Sequence, residues 1–201
     1  MSLSRRKLLG GAAGAVLAAP LASSLATPAL AQRLIRWRMV TSWPKNLPGP
    51  GVSAERIAAD IAALSGERLT LEIYAAGELV GGLEVFDAVS SGTVEMAHTA
   101  SLFWPGKVPA APFFTAVPFG LTPLEHAAWL QQGGGQALWD RLYAPFGIRP
   151  FAAGNTGFQM GGWYKTPIES LDDIVGLKIR MPGFGGEILR RLGAAPVSLP
   201  P

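Results

Sequence analysis

The chain has 201 residues, no cysteine, 17 basic and 14 acidic side chains, and a formal net charge of +3. The lack of cysteine excludes disulfides, thiolate metal sites and cysteine nucleophiles, and it fits an oxidising compartment. Three of the bases, Arg5, Arg6 and Lys7, lie in the opening segment, so the rest of the chain is charge-balanced and has no basic run to hold a nucleic acid or an anionic membrane.

Ser4-Arg5-Arg6-Lys7, an apolar run from Leu8 to Ala22, and Ala29-Leu30-Ala31 before Gln32 have the three-part layout of a secretory signal peptide, with removal expected near Ala31. The run falls short of the ~20 residues that span a bilayer. The paired arginines resemble a twin-arginine signal, with general secretion as the open alternative.

Segment 34–40 alternates Ile35, Trp37 and Met39 with Arg36 and Arg38, which predicts a half-buried strand. After the loop Pro44–Gly51, a helix is expected from Ser53 through Ile57, Ile61 and Leu64, stopped by Gly66. Leu69, Leu71 and Ile73 alternate as a second strand. Residues 82–91 read as a helix and Thr93–Ala97 as a short strand. Thr122-Pro123-Leu124-Glu125 is a capping box that opens a helix, and Gly133-Gly134-Gly135 interrupts it before a further helical stretch through Trp139 and Tyr143. The glycines are not a phosphate loop, because no strand precedes them and no Gly-Lys-Ser/Thr follows.

Residues 148–153 and 157–164 are predicted as strands, Ser170–Asp173 as a second capping box, 177–181 as a strand and 186–192 as a helix. This alternation predicts an α/β class with helices covering a largely parallel sheet. Ala152-Ala153-Gly154-Asn155 is the expected hinge. Val197-Ser198-Leu199-Pro200-Pro201 reads as a strand leaving into a loop, the pattern of a chain that stops inside a domain.

The reactive chemistries find little support. There is no Gly-x-Ser-x-Gly and there are only two histidines, His98 and His126, each read as structural; 28 positions apart without thiols, they make no zinc set. Gly183-Phe184-Gly185-Gly186-Glu187-Ile188 begins like a dinucleotide fingerprint but has Ile where the third glycine belongs. Asp172 and Asp173 are read as charging a helix amino end. What remains is polar and unreactive: Asn155, Thr156, Gln159 and Arg180, with aromatic residues including Phe103 and Trp104. Arg180 ends the strand Leu177–Arg180, and in open parallel sheets ligands bind outside the carboxyl ends of strands, where a guanidinium offers a fork to a carboxylate or phosphate.

Ser42-Trp43-Pro44-Lys45, Tyr74–Gly81, Val85–Val89, Gly154-Asn155-Thr156-Gly157-Phe158-Gln159-Met160-Gly161-Gly162-Trp163 and Gly176-Leu177-Lys178-Ile179-Arg180-Met181-Pro182 complete the reading. Together they resemble the extracytoplasmic solute receptors of tripartite ATP-independent periplasmic (TRAP) transporters, and within them the 2-oxo acid branch, over residues 32–201. The resemblance implies a two-lobed periplasmic-binding-protein-like α/β fold with mostly parallel sheets, whose lobes close about a hinge. Residues 1–31 are then the signal peptide, 32–153 the first lobe and 154–201 the start of a second lobe, incomplete in this chain.

It further implies that Arg180 clamps the substrate carboxylate, that Gln159 approaches the same carboxylate and a bound sodium or calcium ion, and that Asn155 supports the ligand. Phe103 or Trp104 would wall the pocket from the first lobe. The remaining metal ligands would come from sequence beyond Pro201, as would any homodimer contact. The implied role is a periplasmic, non-enzymatic receptor that hands a small 2-oxo acid such as pyruvate to a TRAP membrane permease. Lactate or another monocarboxylate is the alternative ligand, and a secreted enzyme or a sensory subunit the alternative class.

Overall fold

The computed structural model describes residues 34–201, so the expected signal peptide over 1–31 and its paired arginines lie outside the described residues. The first sheet is built from β1 (Ile35–Thr41), β2 (Leu69–Tyr74) and β3 (Met96–His98), in the order β2-β1-β3 with both pairings parallel. β1 pairs with β2 along Ile35–Val40 but with β3 only along Met39–Thr41. That difference limits the expected alternation. Met39, Val40 and Thr41 are buried, whereas Ile35 and Trp37, which lack β3 beside them, stay substantially exposed.

α1 (Pro50–Ser65) joins β1 to β2 and starts three residues earlier than the expected Ser53, because Pro50 supplies a preset helical φ at the first turn. Its end is the predicted one. Gly66 adopts φ 60°, its N–H donates to the Ala63 carbonyl at 3.2 Å and the Glu67 N–H to Ala62 at 2.9 Å, the two bonds of a Schellman motif. α2 (Val85–Ser90) is shorter than the expected 82–91.

α3 (Pro123–Gln132) carries the predicted capping box: the Glu125 N–H donates to Thr122 Oγ1 at 3.4 Å, and the Thr122 N–H to Glu125 Oε2 at 2.8 Å. α4 (Gly135–Tyr143) follows after a turn at Gly134, φ 82°. The glycine run has a packing cause as well as a conformational one. A Cβ on Gly133 or Gly135 would lie 2.9 or 2.8 Å from carbons of the Trp129 ring, so the ring needs both positions bare. The core is aromatic. Phe114 stacks on Trp139 at 5.3 Å and on Trp129 at 5.5 Å, Phe86 packs on Trp104 at 5.1 Å, and Val40, Tyr74 and Ala97 of the sheet lie against this cluster.

The strands expected at 148–153 and 157–164 do not form. Their alternation has no strand alongside to accept and donate backbone hydrogen bonds, and a lone extended segment has no ladder to hold it. Ser170–Asp173 also differs from expectation. Asp173 Oδ2 accepts from the Glu169 N–H (3.0 Å), the Ser170 N–H (2.8 Å) and Ser170 Oγ (3.0 Å), leading into a single 3₁₀ turn, Asp172–Ile174, rather than a capped α-helix. β4 (Lys178–Arg180), α5 (Gly183–Arg191) and β5 (Ala195–Val197) then form a βαβ unit whose strands pair in parallel, the predicted class.

Candidate functional site

Parallel strands deliver their carboxyl ends to one edge of a sheet, and both sheets place polar or aromatic groups there. At the end of β1, Ser42 is fully buried. Its hydroxyl donates to the Gly82 carbonyl at 2.6 Å and therefore accepts from Thr99 Oγ1, also 2.6 Å away. Trp43 Nε1 donates to Nδ1 of His98 at 2.7 Å, tying the end of β1 to the end of β3. An indole N–H can only donate, so this bond assigns the His98 proton to Nε2. Burial pushes the His98 pKa below its ordinary value, which keeps the ring neutral near pH 7.

Of the first-lobe residues expected in the pocket wall, Phe103 is half-buried and meets the Trp43 ring at 5.9 Å. Trp104 is 5% exposed and belongs to the core, where its Nε1 donates to the Tyr143 hydroxyl at 2.9 Å and that hydroxyl donates to Ser101 Oγ at 2.9 Å. Burial in this chain of bonds pushes the Tyr143 phenol pKa up.

At the end of β4, Arg180 is solvent-exposed as a residue, yet desolvation of its head lowers its pKa somewhat from the usual guanidinium value. Among the described residues no carboxylate pairs with it; its partner is a main-chain carbonyl, that of Leu199, which accepts from Nε at 2.9 Å and from Nη2 at 2.7 Å. Asn155 and Gln159 lie on the exposed 151–164 segment and are hydrogen-bonded locally, not to Arg180. Asn155 Oδ1 accepts from the Gly157 N–H at 2.7 Å, and Gln159 Nε2 donates to Thr156 Oγ1 at 2.6 Å. The Gln159 bond engages the amide nitrogen and leaves its carbonyl oxygen, a hard donor suited to sodium or calcium, free of a protein partner among the described residues.

An open cleft of about 420 Å³ lies beside these strand ends, between Pro105–Gly106 and Met181, Phe184 and Ser198. None of the five expected ligand-binding residues lines it, and its charged residues, Glu187 and Arg190, neutralise each other through bonds of 2.8–3.0 Å. Arg180 is therefore a better anchor for an anion than this cleft: its charge has no counter-charge within the described residues. Two features escaped sequence reasoning. The Leu199 carbonyl leaves no side-chain signature, and the Trp43–His98 bond joins residues 55 positions apart.

Residues 41–201 match the model of bacterial extracellular solute-binding protein family 7. A monocarboxylate 2-oxoacid-binding periplasmic protein of Nostoc sp. is 46% identical over 98% of this chain and 55% of that protein. A TRAP periplasmic solute-binding protein from Pseudoalteromonas atlantica, crystallised with sodium and pyruvate, superposes with TM-score 0.81 at 43% identity, covering 83% of this chain and 51% of that one. One from Colwellia psychrerythraea, with calcium and pyruvate, gives 0.80 at 42% identity over 83% and 51%. The chain thus spans about half the length of the relatives it matches.

Proposed function

The chain belongs to bacterial extracellular solute-binding protein family 7, and from that premise we propose that the whole protein is a periplasmic receptor which captures a small 2-oxo acid such as pyruvate and delivers it, unchanged, to a TRAP membrane permease. The observation that carries this reading is Arg180: a guanidinium at the carboxyl end of a parallel strand with no carboxylate partner among the described residues. An anion from solution meets that charge. Relatives above 40% identity that were crystallised with pyruvate support the choice of ligand.

In this reading residues 32–153 are the first lobe and 154–201 the beginning of the second. Two parallel charge-assisted hydrogen bonds hold the carboxylate, each worth roughly 1.5–3 kcal/mol, and they strengthen as lobe closure excludes water. Asn155 and Gln159 approach the ligand from the second lobe, and the half-buried Phe103, rather than the core residue Trp104, backs it from the first. Gln159 Oε1 is the oxygen this chain offers to a sodium or calcium ion, which when bound would neutralise charge beside the carboxylate. No group among Arg180, Gln159 and Asn155 is a nucleophile or a general base near neutral pH, so the site binds and does not transform.

Titration calorimetry of the whole protein tests this directly. Pyruvate is expected to bind more tightly than lactate or succinate. Arg180→Lys replaces the planar fork by a point charge and is expected to weaken pyruvate binding at least about tenfold, or ~1.4 kcal/mol. Unchanged affinity in that variant sinks the clamp, and turnover of pyruvate by the purified protein sinks the receptor.

A further inference from the structure

A guanidinium presents two open forks to an oxyanion: the side edge, Nε–H with one Nη2–H, and the end edge, one N–H each from Nη1 and Nη2. In Arg180 the side edge is taken. Both of its N–H groups converge on the single carbonyl oxygen of Leu199, at 2.9 and 2.7 Å, which is where a carboxylate gripping that edge would have to sit.

The carbonyl is held from two directions. Upstream, β5 fixes the chain opposite β4: Arg180 is in register with Val197, and the Met181 N–H donates to the Val197 carbonyl at 3.1 Å, so Leu199 follows two residues after a pinned position. Downstream, Pro200 confines Leu199 to extended backbone. Pro200 itself abuts Gly82, where an added Cβ would lie 3.1 Å from the Pro200 Cβ and 3.2 Å from the Ser42 carbonyl oxygen. The bare α-carbon of Gly82 thus lets Pro200 pack on the loop between β2 and α2.

We propose that Leu199 is a positioning residue for ligand binding: its main-chain carbonyl locks the side edge of Arg180 and leaves only the Nη1–Nη2 end edge to grip the ligand carboxylate. This rests on the reading of Arg180 as the carboxylate clamp. The geometry has a consequence for specificity. An end-on carboxylate lies on the extension of the Nε–Cζ bond, so the body of the ligand points along that axis, whereas a side-on grip would swing it by roughly 120° around the planar head. The locked head also sheds rotamer freedom before the ligand arrives, which lowers the cost of binding.

The test uses the whole protein with and without pyruvate, read by the nitrogen-15 signals of the Arg180 side chain, assigned by their loss in Arg180→Lys, and by a crystal structure of the complex. The expected result is an Arg180 Nε–H signal that is protected from solvent exchange without ligand and unmoved by pyruvate, while the Nη signals shift. The crystal should then show the carboxylate on Nη1 and Nη2 with the Leu199 oxygen still about 3 Å from Nε. Pro200→Gly, which frees the Leu199 backbone, is expected to weaken pyruvate binding about threefold, with only the small fall in thermal midpoint that a freer unfolded chain brings. A carboxylate on the Nε–Nη2 edge with the Leu199 carbonyl displaced overturns this inference and leaves the clamp standing. Pyruvate bound away from Arg180, or not at all, overturns both.

Discussion

Single residues here set two separate acid sensitivities. His98 is buried, accepts from Trp43 on Nδ1 and carries its proton on Nε2. Protonating it would point one N–H at another and charge a desolvated ring. Because its folded pKa lies below the unfolded value of about 6.5, the unfolded chain binds more protons between the two; the stabilisation is complete above ~6.5 and fades as pH falls through the folded pKa. The thermal midpoint of the unsubstituted chain should therefore drop more between about pH 7.5 and pH 5 than that of His98→Gln; equal slopes in the two would refute the assignment. Glu95 acts at lower pH. Its carboxylate accepts from the Arg38 backbone N–H at 2.8 Å and from the Arg38 head at 3.1 and 3.4 Å, and these bonds hold its pKa at about 2. The contribution is present above the unfolded value of about 4.3 and disappears as pH falls towards 2. Urea unfolding should show Glu95→Gln less stable than the unsubstituted chain at neutral pH and indistinguishable from it near pH 2.

At the scale of elements, what was legible was local chemistry. Thr122-Pro123-Leu124-Glu125 announces the start of α3 because the box closes on itself within one turn, and both of its bonds form. Thr122→Ala should cost about 1 kcal/mol, read as a lower urea midpoint at constant slope. Gly66 was equally legible, since the left-handed backbone it adopts is the one that favours glycine. The role of Gly186 was not. A Cβ there would come within 2.1 Å of the Met181 carbonyl oxygen, so α5 can follow β4 this tightly only with a bare α-carbon. Gly186→Ala is expected to destabilise by about 1–3 kcal/mol as α5 is pushed off the strand exit, and an unaltered denaturation midpoint would disprove that close approach. The strands wrongly expected at 148–164 teach the converse lesson: alternation states what a segment would bury as a strand, but pairing needs a neighbour.

Across the whole molecule, order is uneven. The aromatic core and the Met39–Thr41 end of β1 are buried, while Phe158 is 84% and Trp163 91% exposed on a stretch without backbone pairing. Local opening is cheapest where buried contacts are fewest, so limited chymotrypsin digestion of this chain should cut first within 151–164 and in the exposed loop at Phe119, leaving α3 and α4 intact; initial cleavage inside α3 or α4 would contradict that distribution. The sequence by itself determined the α/β class, the parallel habit of the strands, the start of α3 and most helix stops, and the presence of an arginine at a strand end, because each depends on residues within a few positions of one another. Tertiary structure alone decided that Trp43 meets His98, that Trp104 sits in the core, that residues 148–164 have no strand to join, and that Arg180 turns one edge to Leu199. Those contacts join chain segments up to 55 positions apart, or end on a main-chain carbonyl that every residue type carries, and neither leaves a mark in local pattern.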